Sequence, residues 1–120
     1  MNVVSLTGRT TGNIELKKTS NDNYVSSFTL AVERAFKVQD EKVTDFISCV
    51  VWGKTAETMS AYVNKGDMVG ITGRLQTREY DDKDGVHRYI TEVVVSELTF
   101  LQSKKQESNQ SLVNDDDAPF

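Results

Sequence analysis

Residues Asp45 to Lys54 read DFISCVVWGK, the densest apolar run in the chain, and the run alternates. Successive side chains of a strand face opposite ways. Ile47, Cys49 and Val51 therefore share one face, and Phe46, Ser48, Val50 and Trp52 share the other. The Ile/Cys/Val face suits a core. The opposite face carries an aromatic at each end with a serine between them, which suits stacking on a flat partner or packing beneath a loop or a second subunit. The strand alone leaves both open.

Outward from this strand the chain repeats the same kind of punctuation. Asn2 to Leu6 is a short Val/Leu strand, expected to end at Gly8-Arg9, with Ile14 to Lys17 continuing it after a bend. Ser20 to Asn23 is a turn cluster. Tyr24 to Glu33 alternates as a half-buried strand, with Phe28, Leu30 and Val32 on one side. Arg34 to Thr44 is a charged, exposed and mobile loop around one aromatic, Phe36. After the opening strand, Thr55 to Asn64 is predicted as the one helix: Thr55 caps it, Ala56, Met59 and Val63 fall at helical spacing, and Gly66 stops it. Met68 to Tyr80 is a long strand, with Val69, Ile71 and Leu75 on one face and Arg74, Gln76, Arg78 and Tyr80 on the other. The Asp-Gly signal in Asp81 to Gly85 turns the chain into a returning strand, His87 to Leu101. Five strands with a single helix between the third and fourth is the layout of an all-β Greek-key barrel, the OB-fold. A two-layer sheet fits less well, because one short helix cannot cover five strands.

From Gln102 the periodicity stops and Lys, Gln, Ser, Asn and Asp dominate, as in a disordered tail. The chain of 120 residues has a formal net charge of −4, but all 14 Lys and Arg lie at or before Lys105. The preceding part is charge-balanced, and the excess comes from Glu107, Asp115, Asp116 and Asp117. A neutral body with an acidic end is a two-part object. The N-terminus carries no basic region followed by an apolar one, and no apolar run is long enough to span a bilayer, so the expected location is cytoplasmic. Cys49, the one cysteine, has no internal disulfide partner and sits on the core face as an inert thiol.

Catalytic constellations are missing. Gly53-Lys54-Thr55 imitates the end of a phosphate-binding loop, but Ser48 stands where that loop needs its first glycine. Asp82-Lys83-Asp84-Gly85 imitates a calcium loop whose first and last ligands would be Tyr80 and Thr91, neither of them a carboxylate. One histidine, His87, and one cysteine make no metal site, so neither a metal nor a cofactor is expected, and no enzyme. Binding is better supplied. Arg74, Gln76, Arg78 and Tyr80 repeat every second residue, guanidiniums beside an aromatic. Alternating polar residues can equally be a plain solvent face. Repetition tips the balance: Phe46 and Trp52 point outward too, Arg34, Lys37 and Lys54 flank them, and Phe36 has no core to join. A base stacked on such a ring contributes about 1–3 kcal/mol with little sequence preference.

The segments FTLAVERAF, DFISCVVWGKTAE and GRLQTREYDDKDGVHRYITEVVVSELTFL, with the ending DDDAPF, resemble the bacterial and phage single-stranded DNA-binding protein family. The resemblance covers residues 1–101 and the last six. It implies an OB-fold domain over 1–101, a short linker over 102–114 and a partner-binding tip over 115–120. It implies base stacking by Phe36, Phe46, Trp52 and Tyr80, and phosphate contacts drawn from Arg9, Arg34, Lys37, Lys54, Lys65, Arg74, Arg78 and Arg88. It further implies a homotetramer with first strands pairing between subunits. DNA replication, recombination and repair proteins would be held by Asp115, Asp116, Asp117, Pro119 and Phe120. The location would be the nucleoid, or the host cytoplasm for a phage-encoded copy. Two features depart from the family pattern: Ala118 stands where a larger apolar residue is usual, and the linker is short and lacks the common Gly/Pro bias. The competing classes are an OB-fold assembly protein using its aromatic face for protein contacts, and an RNA-binding OB module.

Overall fold

A computed structural model of the chain describes residues 1–102. The elements, in chain order, are β1 (Val4–Thr10), β2 (Lys17–Lys18), β3 (Tyr24–Glu33), β4 (Thr44–Trp52), α1 (Gly53–Tyr62), β5 (Met68–Asp81) and β6 (His87–Gln102). The strands lie in one sheet in the order β1-β5-β6-β4-β3-β2. β1 runs antiparallel to β5 over Val4–Arg9 and then reaches β3, pairing Arg9 with Ala31 and Thr10 with Leu30. That second pairing closes the sheet on itself. One junction is parallel, β4 with β6 at Cys49–Val93 and Val51–Val95. Five long strands closed this way, with one helix after the third, make an OB-fold barrel. β2 is a two-residue addition beside β3.

The interior follows the alternation in the sequence. Leu30, Cys49, Val51, Val69, Ile71, Val93 and Val95 converge on the barrel axis, and α1 closes one end with Ala56, Met59 and Val63 buried. Leu30, Val51, Ala56, Met59 and Val69 are fully enclosed. Bulges adjust the long hairpin. Thr72 pairs with Glu97 but Gly73 pairs with Val95, leaving Ser96 as the extra residue, its hydroxyl donating to the Thr72 carbonyl at 2.9 Å. The extra residue shifts the alternation, so that Val93 and Val95 before it and Leu98 after it all turn inward.

Several boundaries differ from the sequence expectation. β1 is longer and later than Asn2–Leu6, and Gly8 lies inside it rather than ending it. A Cβ on Gly8 would stand 2.4 Å from the Ala31 carbonyl oxygen, so the glycine permits the closing approach of β1 to β3. The Ile14–Lys17 continuation is replaced by the separate β2, while Ile14 packs into the core. The helix starts at Gly53, with Trp52 at the capping position and no side-chain cap bond, so Thr55 lies inside it. Gly53, at φ 67°, turns the strand directly into the helix, so the capping position falls to Trp52, whose side chain has no oxygen to accept a cap bond. Val63 rather than Gly66 ends it. Asn64–Asp67 is then stitched to β1: Thr10 Oγ1 donates to the Asn64 carbonyl at 2.8 Å, and buried Asp67 accepts from the Asn64 amide at 2.8 Å. Leu75, on the same face as Val69 and Ile71, is 46% exposed: its β6 partner Val93 is still buried, but β5 has run beyond its pairing with β1, which ends at Val4–Gly73. The loop after β3 is exposed, as expected, but folds into a small hairpin. Val38 and Glu41 exchange backbone bonds of 2.9 Å around Gln39 and Asp40, both at positive φ. The linker from 103 to 114 and the tip at 115–120 lie outside the described residues.

Candidate nucleic-acid interface

Residues paired across a sheet point to the same side, so the register assembles a face. On β4 that face carries Phe46, Ser48, Val50 and Trp52, and their β3 partners Ala31, Thr29, Ser27 and Val25 join it. Val50 opposite Val94 extends it to β6, and Val94, Glu92, Ile90 and Arg88 bring in Arg74, Gln76, Arg78 and Tyr80 of β5. Both stretches singled out in the sequence thus lie on one outer surface. Because Ile47, Cys49 and Val51 are committed to the barrel interior, the period of two leaves Phe46, Ser48 and Trp52 no other side to occupy.

The rings stand free. Phe46 is 67%, Trp52 48% and Tyr80 43% exposed, well above what packing under a loop of this chain would leave. Phe36, at 84%, sits in the hairpin after β3 rather than on the sheet, at the end of the face nearer Phe46. Val50 shares the outer side but is buried, so the ground between Phe46 and Trp52 is Ser48.

The basic residues divide. Arg74 and Arg78 on β5 and Arg88 on β6 belong to the outer face by register, and Lys54 follows Trp52 in the first turn of α1. Arg34 is held at the root of the small hairpin by Asp45, with Nε and Nη2 each 3.0 Å from a carboxylate oxygen. This bidentate pairing, first through its hydrogen bonds, raises the Arg34 pKa and lowers that of Asp45. Arg88 donates to Asp82 at 2.9 Å. Arg9 lends Nη1 to the Gly66 carbonyl at 2.9 Å, and Lys65 sits beside that loop, its backbone amide on Asn13 Oδ1. Lys37 extends from the small hairpin, exposed. The eight basic positions therefore do not form one row: Arg74, Arg78 and Arg88 lie on the face, while Arg9 and Lys65 lie at the loop between α1 and β5.

The sequence profile of the single-strand binding protein family matches residues 1–101. The chain belongs to this family. It is 49% identical over 116 residues to "Single-stranded DNA-binding protein 3" of Clostridium acetobutylicum, spanning 96% of this chain and 80% of that one. It is 43% identical over 116 residues to "Single-stranded DNA-binding protein 1" of Streptococcus pyogenes, spanning 96% and 89%. "Single-stranded DNA-binding protein 3" of Streptococcus agalactiae aligns with all of this chain and 99% of its own length at 40% identity.

Three features of this family member's surface were not singled out in the sequence. Glu92 lies in the middle of the outer face, only 6% exposed, and accepts from Arg78 Nε at 2.9 Å and Gln76 Nε2 at 3.1 Å. It borders a shallow pocket of about 240 Å³ with Ser27, Thr29, Ser48, Arg78 and Ile90. A lone Glu in the TEVVV run, counted back from the hairpin turn to a position opposite Gln76, was the available signal. Tyr89, 71% exposed, sits on the other side of the hairpin, edge-on to His87 at 4.9 Å. Tyr62 meets Phe100 edge-on at 6.4 Å where α1 ends. Beneath the face, burial and then the Glu92 charge push the Cys49 thiol up to about 12, so it stays protonated at neutral pH. Among the described residues no three His, Cys, Asp or Glu side chains form a group suited to a metal ion, and no helix is long and apolar enough to cross a membrane.

Proposed function

We propose that the chain binds single-stranded DNA without sequence preference along the outer face of β3, β4, β6 and β5. The observation that carries this is the exposure of Phe46, Trp52 and Tyr80 on one surface interleaved with Arg74, Arg78 and Arg88. Every base has a flat π-face, so rings set along a sheet accept any sequence, while cations beside them take up the phosphates and release counterions. Phe36 extends the row from the small hairpin, and Lys37, Lys54, Lys65, Arg9 and Arg34 supply charge around its rim. The relatives' names as single-stranded DNA-binding proteins support the same reading.

The role in the cell is protection of exposed single strands in DNA replication, recombination and repair, in the cytoplasm, without catalysis. A homotetramer would present several such faces to one strand. Among the described residues, the stretch of β1 before its junction with β3 is paired on one side only, by β5, and suits pairing with a second copy. The domain ends near residue 101, and the 115–120 tip, with Asp115 to Asp117 followed by Pro119 and Phe120, is a recruiting signal for partner proteins. An apolar ring preceded by acids suits a basic-rimmed apolar pocket.

Titration with oligo-dT at two salt concentrations tests the reading through Trp52 fluorescence. Quenching that weakens steeply with salt, with poly-U and duplex DNA competing poorly, is the expected result. Deleting Asp115–Phe120 leaves that binding intact or tighter and abolishes capture of partner proteins. No binding and no quenching at low salt would overturn the assignment.

A further inference from the structure

A surface that receives a polyanion has a carboxylate near its centre. Glu92 sits on the outer face with its side chain 7% exposed, and a charge so enclosed persists only when paired. Its pairing is one-sided. Arg78 Nε at 2.9 Å and Gln76 Nε2 at 3.1 Å both donate to Oε1. The Nη groups of Arg78 donate to nothing among the described residues, and the Arg78 side chain is 54% exposed. Two more arginine–carboxylate pairs, Arg34 with Asp45 and Arg88 with Asp82, differ. Asp45 is 42% exposed and Asp82 21%, so those pairs can open toward water when a phosphate arrives. Releasing Arg78 would strand a buried charge. Arg74, on the same face, has among the described residues only Gln76 Oε1 at 3.3 Å and no carboxylate.

We propose that Glu92 is a positioning residue that withdraws Arg78 from the phosphate-neutralising charge of the face. Arg78 and Gln76 are fixed from below and meet single-stranded DNA as oriented hydrogen-bond donors to bases and sugars. Arg74 and the rim lysines carry the phosphate contacts. This rests on the reading that the face holds single-stranded DNA. It assigns the middle of the surface, lined by Ser27, Thr29, Ser48 and the Arg78–Glu92 pair, to base edges, and its margins to the backbone. Arginine held in one orientation is suited to that task, since its remaining donors keep a fixed fork.

The salt dependence of binding separates this from a purely structural role. Each phosphate neutralised on a single strand contributes about 0.7 to the slope of log affinity against log salt. Binding of oligo-dT is measured across a salt series for wild type, Arg74→Gln, Glu92→Gln and Arg78→Gln/Glu92→Gln, with melting curves for each. Arg74→Gln flattens the slope by about 0.7 and calibrates one cation. Glu92→Gln keeps an acceptor for Arg78 Nε but frees its charge, so binding tightens at low salt and the slope steepens by about 0.7. The double variant exchanges a neutral pair for a neutral pair. Its line runs parallel to wild type at weaker affinity.

A Glu92→Gln slope equal to wild type, or weaker binding at every salt without steepening, overturns the proposal. So does a double variant as flat as Arg74→Gln. Should Glu92→Gln fail to fold, the double variant against Arg74→Gln decides alone. Absence of wild-type binding would instead remove the function proposed for the face, a failure visible before any Glu92 variant is compared.

Discussion

The two halves of β5 share a backbone ladder with β6 and little else. From Met68 to Gly73, every second residue is buried, and Val69 and Ile71 stand in the barrel core. From Arg74 to Asp81, Gln76 alone is half-buried and the other side chains are exposed on both faces. The first half is held by burial. The second is held by its pairing with β6 and by side-chain contacts along it: ion pairs of Arg78 with Glu92 and of Arg88 with Asp82, and the His87 ring set between the Glu79 and Asp81 carboxylates. A strand that fills a core at one end and, in the function proposed, meets DNA at the other needs both regimes, because a side chain cannot fill a core and stack on a base at once. The changeover falls at Gly73, beside the Ser96 bulge that bends β6.

Gly73 is therefore where the comparison breaks most sharply. A Cβ there would lie 2.0 Å from the Val94 carbonyl oxygen and 2.8 Å from its carbon, backbone atoms that cannot step aside without undoing the ladder. Gly73→Ala is expected to destabilise by about 3 kcal/mol or more, as overpacking against fixed atoms does. Leu75→Ala, two residues on and exposed, changes stability by about 0.5 kcal/mol or less. Urea unfolding of the two variants checks the contrast. Equal effects would mean that the packed half extends beyond the bulge.

The second test runs the other way. Tyr80→Ala, at the far end of the exposed half, should leave the unfolding midpoint unchanged while weakening oligo-dT binding by about 1–3 kcal/mol, roughly 5- to 150-fold. A titration beside a melting curve measures both. If stability fell and binding held, Tyr80 would be a packing residue of the hairpin.

What the sequence made legible follows the same division. Period-two patterning placed Ile47, Cys49 and Val51 inward and Phe46 and Trp52 outward, because each strand there has one buried side to impose the alternation. It put Leu75 on the face of Val69 and Ile71 but could not show that Leu75 is exposed, because parity says which side a residue faces and nothing of how much of the barrel still covers it. Gly8 read as a turn for a related reason: only the close approach of β3, set by barrel closure, explains a glycine inside a strand. The exposed rings of Phe36, Phe46, Trp52 and Tyr80 were visible as apolar residues in polar company. Glu92 was not, since one acid in a valine run carries no periodic signal until hairpin register sets it opposite Gln76.

The smallest effect expected lies at the tip of the exposed half. Asp82 accepts from Arg88 Nε, from the Asp84 amide and from the Val86 amide, each at 2.9 Å. These donors, Arg88 first and Val86 next, hold its carboxyl below the usual carboxylate range. A carboxyl whose pKa is lowered by folding adds stability above its unfolded value, about 3.9, and loses it as pH falls through the lowered one. Asp82→Asn keeps an acceptor for the amides and removes the charge facing Arg88. Amide exchange at Val86 should then be faster in the variant near neutral pH, with the difference from wild type closing as pH drops below the usual aspartate range. Because the tip is solvent-exposed and far from the barrel, global unfolding should barely respond. A difference that persisted unchanged into acid would show that Asp82 acts through shape alone, and the exposed half of β5 would then be held at its tip by the turn rather than by charge.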